Sequence, residues 1–290
     1  METHEPPPPE HDVAMEALSR RYRMDVDELD GWSVAVNLTR SGCRIVDPTL
    51  RHYAEKLAAR AVMARAHRIV GPLRGTTHVV REQLREPFAG EIDLEATIDN
   101  VLGKEFPDTS DWVVKHREER RHQVVLMVDT SLSMSGENMA IAAVAAAVLS
   151  LKLHPEDLAV VVFENTAKAV THLEVADAPE TVVERMLDQP VNGYTNIAAA
   201  LELGARELER GRNPRRSGLL ITDGVVTAGG DPVHLAHRFP RLFVLLTEDY
   251  KTNPKLCRQL ADAAKGDVFP VNTFRELPSR MLTVANRVLR

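Results

Sequence analysis

The sequence predicts an α/β protein, a doubly wound and mostly parallel sheet preceded by a mainly helical N-terminal region. Three observations carry that expectation. Val124 to Val128 is an unbroken apolar run, the pattern of a strand covered on both faces. From about residue 121 onward, short apolar strands alternate with helix-length segments, which is how chains that build parallel sheets are written. The first of these strands ends on Asp129, with Ser131 and Ser133 following. Small oxygen-bearing residues are thereby placed beyond the carboxyl end of a strand, where open α/β sheets hold ligands.

Residues 1–10 are polar and proline-rich and are expected to be disordered. Residues 11–120 are expected to form the helical region and a linker, and 121–290 the α/β domain. Asp12 to Arg23 reads as a helix with Val13, Ala17 and Leu18 on one face. Asp25 to Pro48 follows no regular period beyond the short Val34-Ala-Val36 stretch. Thr49 to Ile69 is helical, with Leu50, Tyr53, Leu57, Ala61 and Ala64 at helical spacing and Gly71-Pro72 as the stop. Its arginines and lysine at 51, 56, 60, 65 and 68 read as a solvated face in an acidic chain.

Thr76 to Leu84 reads as further helix before Pro87, and Asp93 as the cap of a short helix carrying Leu94, Ile98, Val101 and Leu102 up to Gly103. Asp108 to Arg121 is polar and reads as linker. Beyond it, Asn138 to Leu153 is apolar almost all round, so the helix it forms should be buried. His154-Pro155 stops it. Leu158–Phe163 is a second central strand, Ala167–His172 an antiparallel edge strand, and Pro179–Leu187 a helix with proline in its first turn. Gly193-Tyr-Thr195-Asn196 opens a helix over Ile197–Glu209, and Leu219–Thr222 is a strand that delivers Asp223. A strand at Leu242–Leu246, a helix at Pro254–Ala264, a strand at Asp267–Val271 and a helix from Phe274 to Val288 complete the pattern.

Aspartate and two serines at alternate positions offer only oxygen donors, which suit a hard cation such as Mg²⁺ better than zinc or copper. The run Asp129-Thr-Ser131-Leu-Ser133 resembles the metal-ion-dependent adhesion site (MIDAS) of von Willebrand factor A (VWA) domains. In that family a threonine and a second aspartate from later loops complete the site. The matching pieces here are Gly193-Tyr-Thr195-Asn196 and Leu219-Leu-Ile-Thr-Asp223-Gly224. The resemblance covers about Arg121 to the C-terminus and implies a Rossmann-like VWA fold. It departs at Leu132, where many members carry glycine. It implies Asp129, Ser131, Ser133, Thr195 and Asp223 as ligands to Mg²⁺ (or Mn²⁺), with an acidic residue of a protein partner completing the coordination. Each piece alone also reads as a local cap or turn.

Phe88 to Ile98 resembles the segment that leads into the A domain of CoxE-like proteins, which are encoded near MoxR-type AAA+ ATPases. That likeness implies a MoxR-type AAA+ ATPase as partner in remodelling or maturing a client protein or metalloenzyme. The alternatives are a chelatase-like accessory subunit for metal insertion into a tetrapyrrole and a Mg-dependent phosphohydrolase. For the hydrolase a second acid two residues after Asp129 is expected, and position 131 is serine. No Walker loop, His-Glu-x-x-His or Ser/His/Asp ordering is present, so a binding module rather than an enzyme is expected.

The bulk properties fit such a module. The chain has 290 residues, 44% hydrophobic and 27% charged, with a net charge of −6. The acidic balance argues against a dedicated nucleic-acid binder. No apolar run reaches the roughly 20 residues a membrane span needs, and no signal peptide is visible. Cys43 and Cys257 lie far apart and read as reduced thiols, in keeping with a cytoplasmic address.

Overall fold

The computed structural model describes residues 11–41, 45–71, 77–84, 91–119, 121–191, 193–247, 252–272 and 276–288. The expected tail at 1–10, Cys43 and the start of the last expected helix at Phe274 lie outside them. In chain order the elements are α1 (His11–Tyr22), α2 (Gly31–Leu38), α3 (Pro48–Val70), β1 (Thr77–Gln83), β2 (Glu91–Ile92), α4 (Leu94–Val101) and β3 (Val113–Glu119). They continue with β4 (Gln123–Asp129), α5 (Glu137–Lys152), β5 (Leu158–Phe163), β6 (Ala167–Thr171), α6 (Pro179–Leu187) and α7 (Ile197–Arg210). The last are β7 (Arg216–Thr222), α8 (Val233–Ala236), β8 (Leu242–Thr247), α9 (Pro254–Ala263), β9 (Val268–Val271) and α10 (Leu277–Val288).

Two compact units result, and their boundaries differ from the expected split at residue 120. One comprises Met1–Gly71 together with His122–Arg290, the other Pro72–Arg121. The first is built on a six-stranded sheet in the order β6-β5-β4-β7-β8-β9. All neighbours are parallel except the β5–β6 pair, so β6 is the antiparallel edge strand the sequence predicts. Strand side chains alternate between faces, and β4 shows it. Val124, Leu126 and Val128 join the core on one side, Val125 and Met127 the core on the other.

The helices divide accordingly. α7, α8 and α9 contribute Leu201, Ala236 and Leu260 to the second core. On the first face lie α5, α6 and α10, and with them α1, α2 and α3. This is the physical reason the N-terminal helices belong with the sheet. α5 is buried from Met139 through Ser150, which a helix lying on a sheet achieves only when another layer covers its back. α3 supplies that layer with its buried Ala54, Ala58, Val62 and Ala66, small residues that let two helices approach closely. α2 in turn sits tight on α3. A Cβ on Gly31 would come within 2.9 Å of Ala61 Cβ.

α2 was not legible in the unassigned Asp25–Pro48 stretch. Its N-cap Asp30 accepts from the Ser33 N–H at 2.7 Å, and the Ser33 hydroxyl answers the Asp30 N–H at 2.9 Å. Serine closes this capping box in place of the usual Glu or Gln.

The second unit corrects two expectations. Thr76–Leu84 does not continue as helix and Asp108–Arg121 is not simply linker. They hold β1 and β3, which pair antiparallel from Thr77↔Glu119 to Gln83↔Val113, with β2 on the other side of β3. Val79, Val80, Val113 and Val114 favour strand, and Arg81, Glu82 and Gln83 are exposed. α4 appears where expected. Its N-cap Asp93 accepts from the Ala96 N–H at 3.4 Å, and Gly103 follows at φ +89°.

Candidate metal centre

The candidate ligands gather at the carboxyl end of the sheet, around its central strands rather than an edge. β4 lies between β5 and β7, with Val128 opposite both Val162 and Ile221. Continuing that register places Asp129 beside Thr222, and the Thr222 hydroxyl donates to Asp129 Oδ2 at 2.7 Å. The other carboxylate oxygen accepts the Ser131 N–H at 2.9 Å. Asp129 is fully buried.

Beyond Asp129 the chain turns through a short 3₁₀ segment, Leu132–Met134. Met134 is buried, its sulfur 3.2 Å from the Thr247 hydroxyl, so Leu132 is turned out to solvent. The Ser131 and Ser133 hydroxyls lie 3.1 Å apart. Neither caps α5, whose N-cap is Gly136 at φ +79°. The local reading in which these serines are helix caps is therefore not realised. The loop is fastened from outside. The Gly136 N–H donates to the Thr39 carbonyl at 3.2 Å, the Thr39 hydroxyl lies 3.0 Å from the Gly136 carbonyl, and the Ser41 N–H donates to the Ser135 hydroxyl at 2.8 Å. The segment just after α2 thus clasps the loop that carries both serines.

Thr195 is buried, and the capping of α7 is done by its neighbour, since Asn196 Oδ1 accepts the Ala199 N–H at 3.1 Å. The backbone of Thr195 is tied to the loop after β7. Its N–H donates to the Thr227 hydroxyl at 2.7 Å, and its carbonyl accepts the N–H groups of Thr227 and Ala228, both at 3.1 Å. The Asn196 N–H donates to the Glu164 carbonyl at 2.8 Å, so the segment bridges the ends of β5 and β7.

Asp223 is buried as well, and its Oδ1 accepts the Val225 N–H at 2.8 Å. Gly224, at φ +78°, lets the chain turn where no other residue fits. A Cβ there would lie 2.6 Å from Cys257 Sγ and 2.8 Å from the Asn253 carbonyl oxygen. Cys257 is a buried free thiol whose pKa burial pushes up to about 12, with the Asp223 charge adding to the effect.

The electrostatics follow from this packing. Burial raises the Asp129 pKa from 3.8 to about 6. Hydrogen bonds from Ser131 and Thr222 oppose the rise, and the negative charge of Asp223 adds to it. Among the described residues no lysine or arginine pairs with either carboxylate. Two buried acids beside the Ser131, Ser133 and Thr222 hydroxyls, with no cationic side chain paired to them among the described residues, concentrate negative charge at this end of the sheet. Among the described residues no group of three His, Cys, Asp or Glu is arranged for a metal, so the donor set is hydroxyl-rich. Such a set fits a hard divalent cation. The sequence reading missed Thr222, Thr227 and Thr39, which hold the candidate ligands in place. Only Thr222 carried a signal, as the hydroxyl immediately before Asp223.

Comparison with known proteins agrees with the fold. Proximal thread matrix protein 1 from the mussel byssus matches with a TM-score of 0.51 at 20% identity, over 58% of this chain and 48% of that one. A second structure of that protein, with a zinc-occupied MIDAS motif, gives 0.50 at 20% identity over the same shares. The von Willebrand factor type A structure from Catenulispora acidiphila gives 0.50 at 16% identity, over 74% of this chain and 50% of that one. The chain thus spans about half the length of each. No curated protein matches it. Among the described residues no helix is long and apolar enough to cross a membrane. The sequence profile described as VWA domain containing CoxE-like protein matches residues 58–243, from within α3 to β8, and the chain belongs to the CoxE-like VWA family.

Proposed function

We propose that the protein is a divalent-cation-dependent protein-binding module rather than an enzyme. Asp129, Ser131, Ser133, Thr195 and Asp223 hold Mg²⁺ (or Mn²⁺), and a carboxylate of a protein partner completes the coordination. The observation that carries this reading is the pair of buried carboxylates, with no cationic side chain paired to them among the described residues, at the end of the sheet where the Ser131 and Ser133 hydroxyls lie 3.1 Å apart. Buried charge calls for a counter-charge, and a bound cation supplies it as the largest local charge. When bound, the ion acts as an electrophile for an incoming acid.

The residues divide the work. Asp129 and Asp223 provide at most two negative charges, and the hydroxyls provide none, so a divalent ion held here still attracts an anion. Thr222 and the Ser131 N–H orient the Asp129 carboxylate. Thr227 and Asn196 fix the Thr195 loop. Membership in the CoxE-like family supports a MoxR-type AAA+ ATPase as the partner, the pair remodelling or maturing a client protein or metalloenzyme.

Two measurements test this. Calorimetry with Mg²⁺ or Mn²⁺ should show one site in the wild type and none in Asp129→Ala, and undiminished binding by the variant would refute the ligand assignment. Co-purification with the genomically adjacent ATPase or client should be lost on EDTA treatment and in Thr195→Ala. Equal yield under all conditions would place partner binding on another surface.

A further inference from the structure

α4 is turned inside out. Its one buried side chain is polar: the Thr97 hydroxyl faces β3, accepting the Val113 N–H at 3.0 Å. Its leucine and isoleucine face water. Leu94 is 66% exposed, Ile98 55% and Leu102, just beyond the helix, 71%. Together with Val101 and Trp112 they line an open groove of about 450 Å³. Of the eleven large apolar side chains exposed among the described residues, five lie between Leu94 and Trp112. An isolated exposed leucine needs no explanation, but a contiguous patch of this kind marks an interaction surface.

The charge around the groove says what it fits. Glu91 to Trp112 holds seven carboxylates and one lysine, a net of −6 that equals the net charge of the entire chain. Lys104 is paired with Asp111, and Asp93 is paired with Arg81 at 2.6 Å. Glu95 and Asp99, one turn apart and exposed, run beside Leu94 and Ile98. We propose that this groove docks a basic amphipathic helix of a partner protein. Such a helix places apolar anchors at i, i+3 and i+4 into the groove and meets the flanking carboxylates with its lysines or arginines. A second copy of the chain is the poorer occupant, because a symmetric pairing through this face would set like charges against each other.

Trp112 lines the groove and gives a direct readout. The chain has two tryptophans. The other, Trp32, lies under the Arg65 guanidinium at 4.1 Å and is removed in a Trp32→Phe background. The probe is a synthetic amphipathic peptide with leucines at helical spacing and lysines elsewhere, added to the full chain. The control keeps the leucines and replaces the lysines by glutamates. Trp112 emission should shift to shorter wavelength with the lysine peptide, which should bind at least tenfold more tightly than the control. Ile98→Asp and, as a second variant, Leu102→Asp should each weaken it tenfold or more. Both add negative charge, so generic attraction to an acidic protein predicts the opposite sign. EDTA and Asp129→Ala should leave this binding unchanged. The proposal is overturned if Trp112 emission does not move or if the aspartate variants bind as well as wild type. It is also overturned if EDTA abolishes binding, or if sedimentation shows copies of the chain associating through this face without competition from the peptide.

Discussion

Replacing Asp129 by asparagine should make the cation-free protein more stable while abolishing its response to Mg²⁺. Asp129 is fully buried, and its pKa is pushed from 3.8 to about 6. At about 1.4 kcal/mol for each pH unit, that corresponds to roughly 3 kcal/mol by which the ionised carboxylate weakens the fold at neutral pH. In D129N the side-chain carbonyl keeps the Ser131 N–H bond, and the amide donates to Thr222, whose hydroxyl must turn. That reversal costs about 1 kcal/mol, leaving a net gain of about 2 kcal/mol, or roughly 4–8 °C in Tm. The pH dependence has a definite sign. A carboxyl whose folded pKa lies above its unfolded value favours folding fully below the unfolded pKa, and that contribution is lost as pH rises through the folded one. The difference between variant and wild type should therefore be small near pH 4, grow through pH 4–6 and level off above about 7. Thermal melts in EDTA across this range measure it. Mg²⁺ at a hundredfold excess over its Kd should then stabilise wild type by about 2.7 kcal/mol and D129N not at all. A D129N protein less stable than wild type in EDTA at pH 7, or a gap independent of pH, would refute the argument.

Other expectations follow from the same geometry. Thr39→Val removes the hydroxyl beside the Gly136 carbonyl and should cost about 1–2 kcal/mol, with Mg²⁺ affinity falling several-fold by calorimetry. Gly224→Ala forces a Cβ to within 2.6 Å of Cys257 Sγ at φ +78° and should cost at least about 2 kcal/mol by urea unfolding, with loss of cation binding. His122 is buried beside Ser217, its Nε2 3.0 Å from that hydroxyl, and its pKa is lowered to about 4 by burial, with Arg241 and Arg215 adding to the effect. The unfolded chain takes up this proton near pH 6.5 and the folded one does not, so stability should fall between about pH 6.5 and 4. His122→Gln should flatten that slope by something on the order of 2 kcal/mol, read from unfolding curves at several pH values.

The sheet and the loops bearing the proposed ligands were legible because their signals are local. An apolar run marks β4, a strand-end aspartate with alternate serines marks its loop, and Asp223-Gly224 marks the turn after β7. What holds those residues was not legible. Thr222 meets Asp129 only through the strand register, and Thr39 meets Gly136 from 97 positions away. The β1–β3 ribbon reads as helix and linker because most of its residues are polar, and pairing rather than composition makes it sheet. The membership of α1, α2 and α3 was hidden for a different reason. Amphipathic spacing shows that a helix has an apolar face, but not which core receives it. The needed clue lay elsewhere, in a central helix with no polar side of its own.

The two-way hold between Thr39 and Gly136 has a mechanical meaning. The segment that follows α2 is joined to the serine-bearing loop by hydrogen bonds. The segment after the N-terminal helices therefore forms part of the support of the loop that carries two of the candidate ligands. Any shift of Thr39 or Ser41 away from this loop must break their bonds to Gly136 and Ser135, two residues and one residue beyond the turn that carries Ser133. A chain trimmed before α3 would keep every proposed ligand and lose the residues that fasten the loop of Ser131 and Ser133.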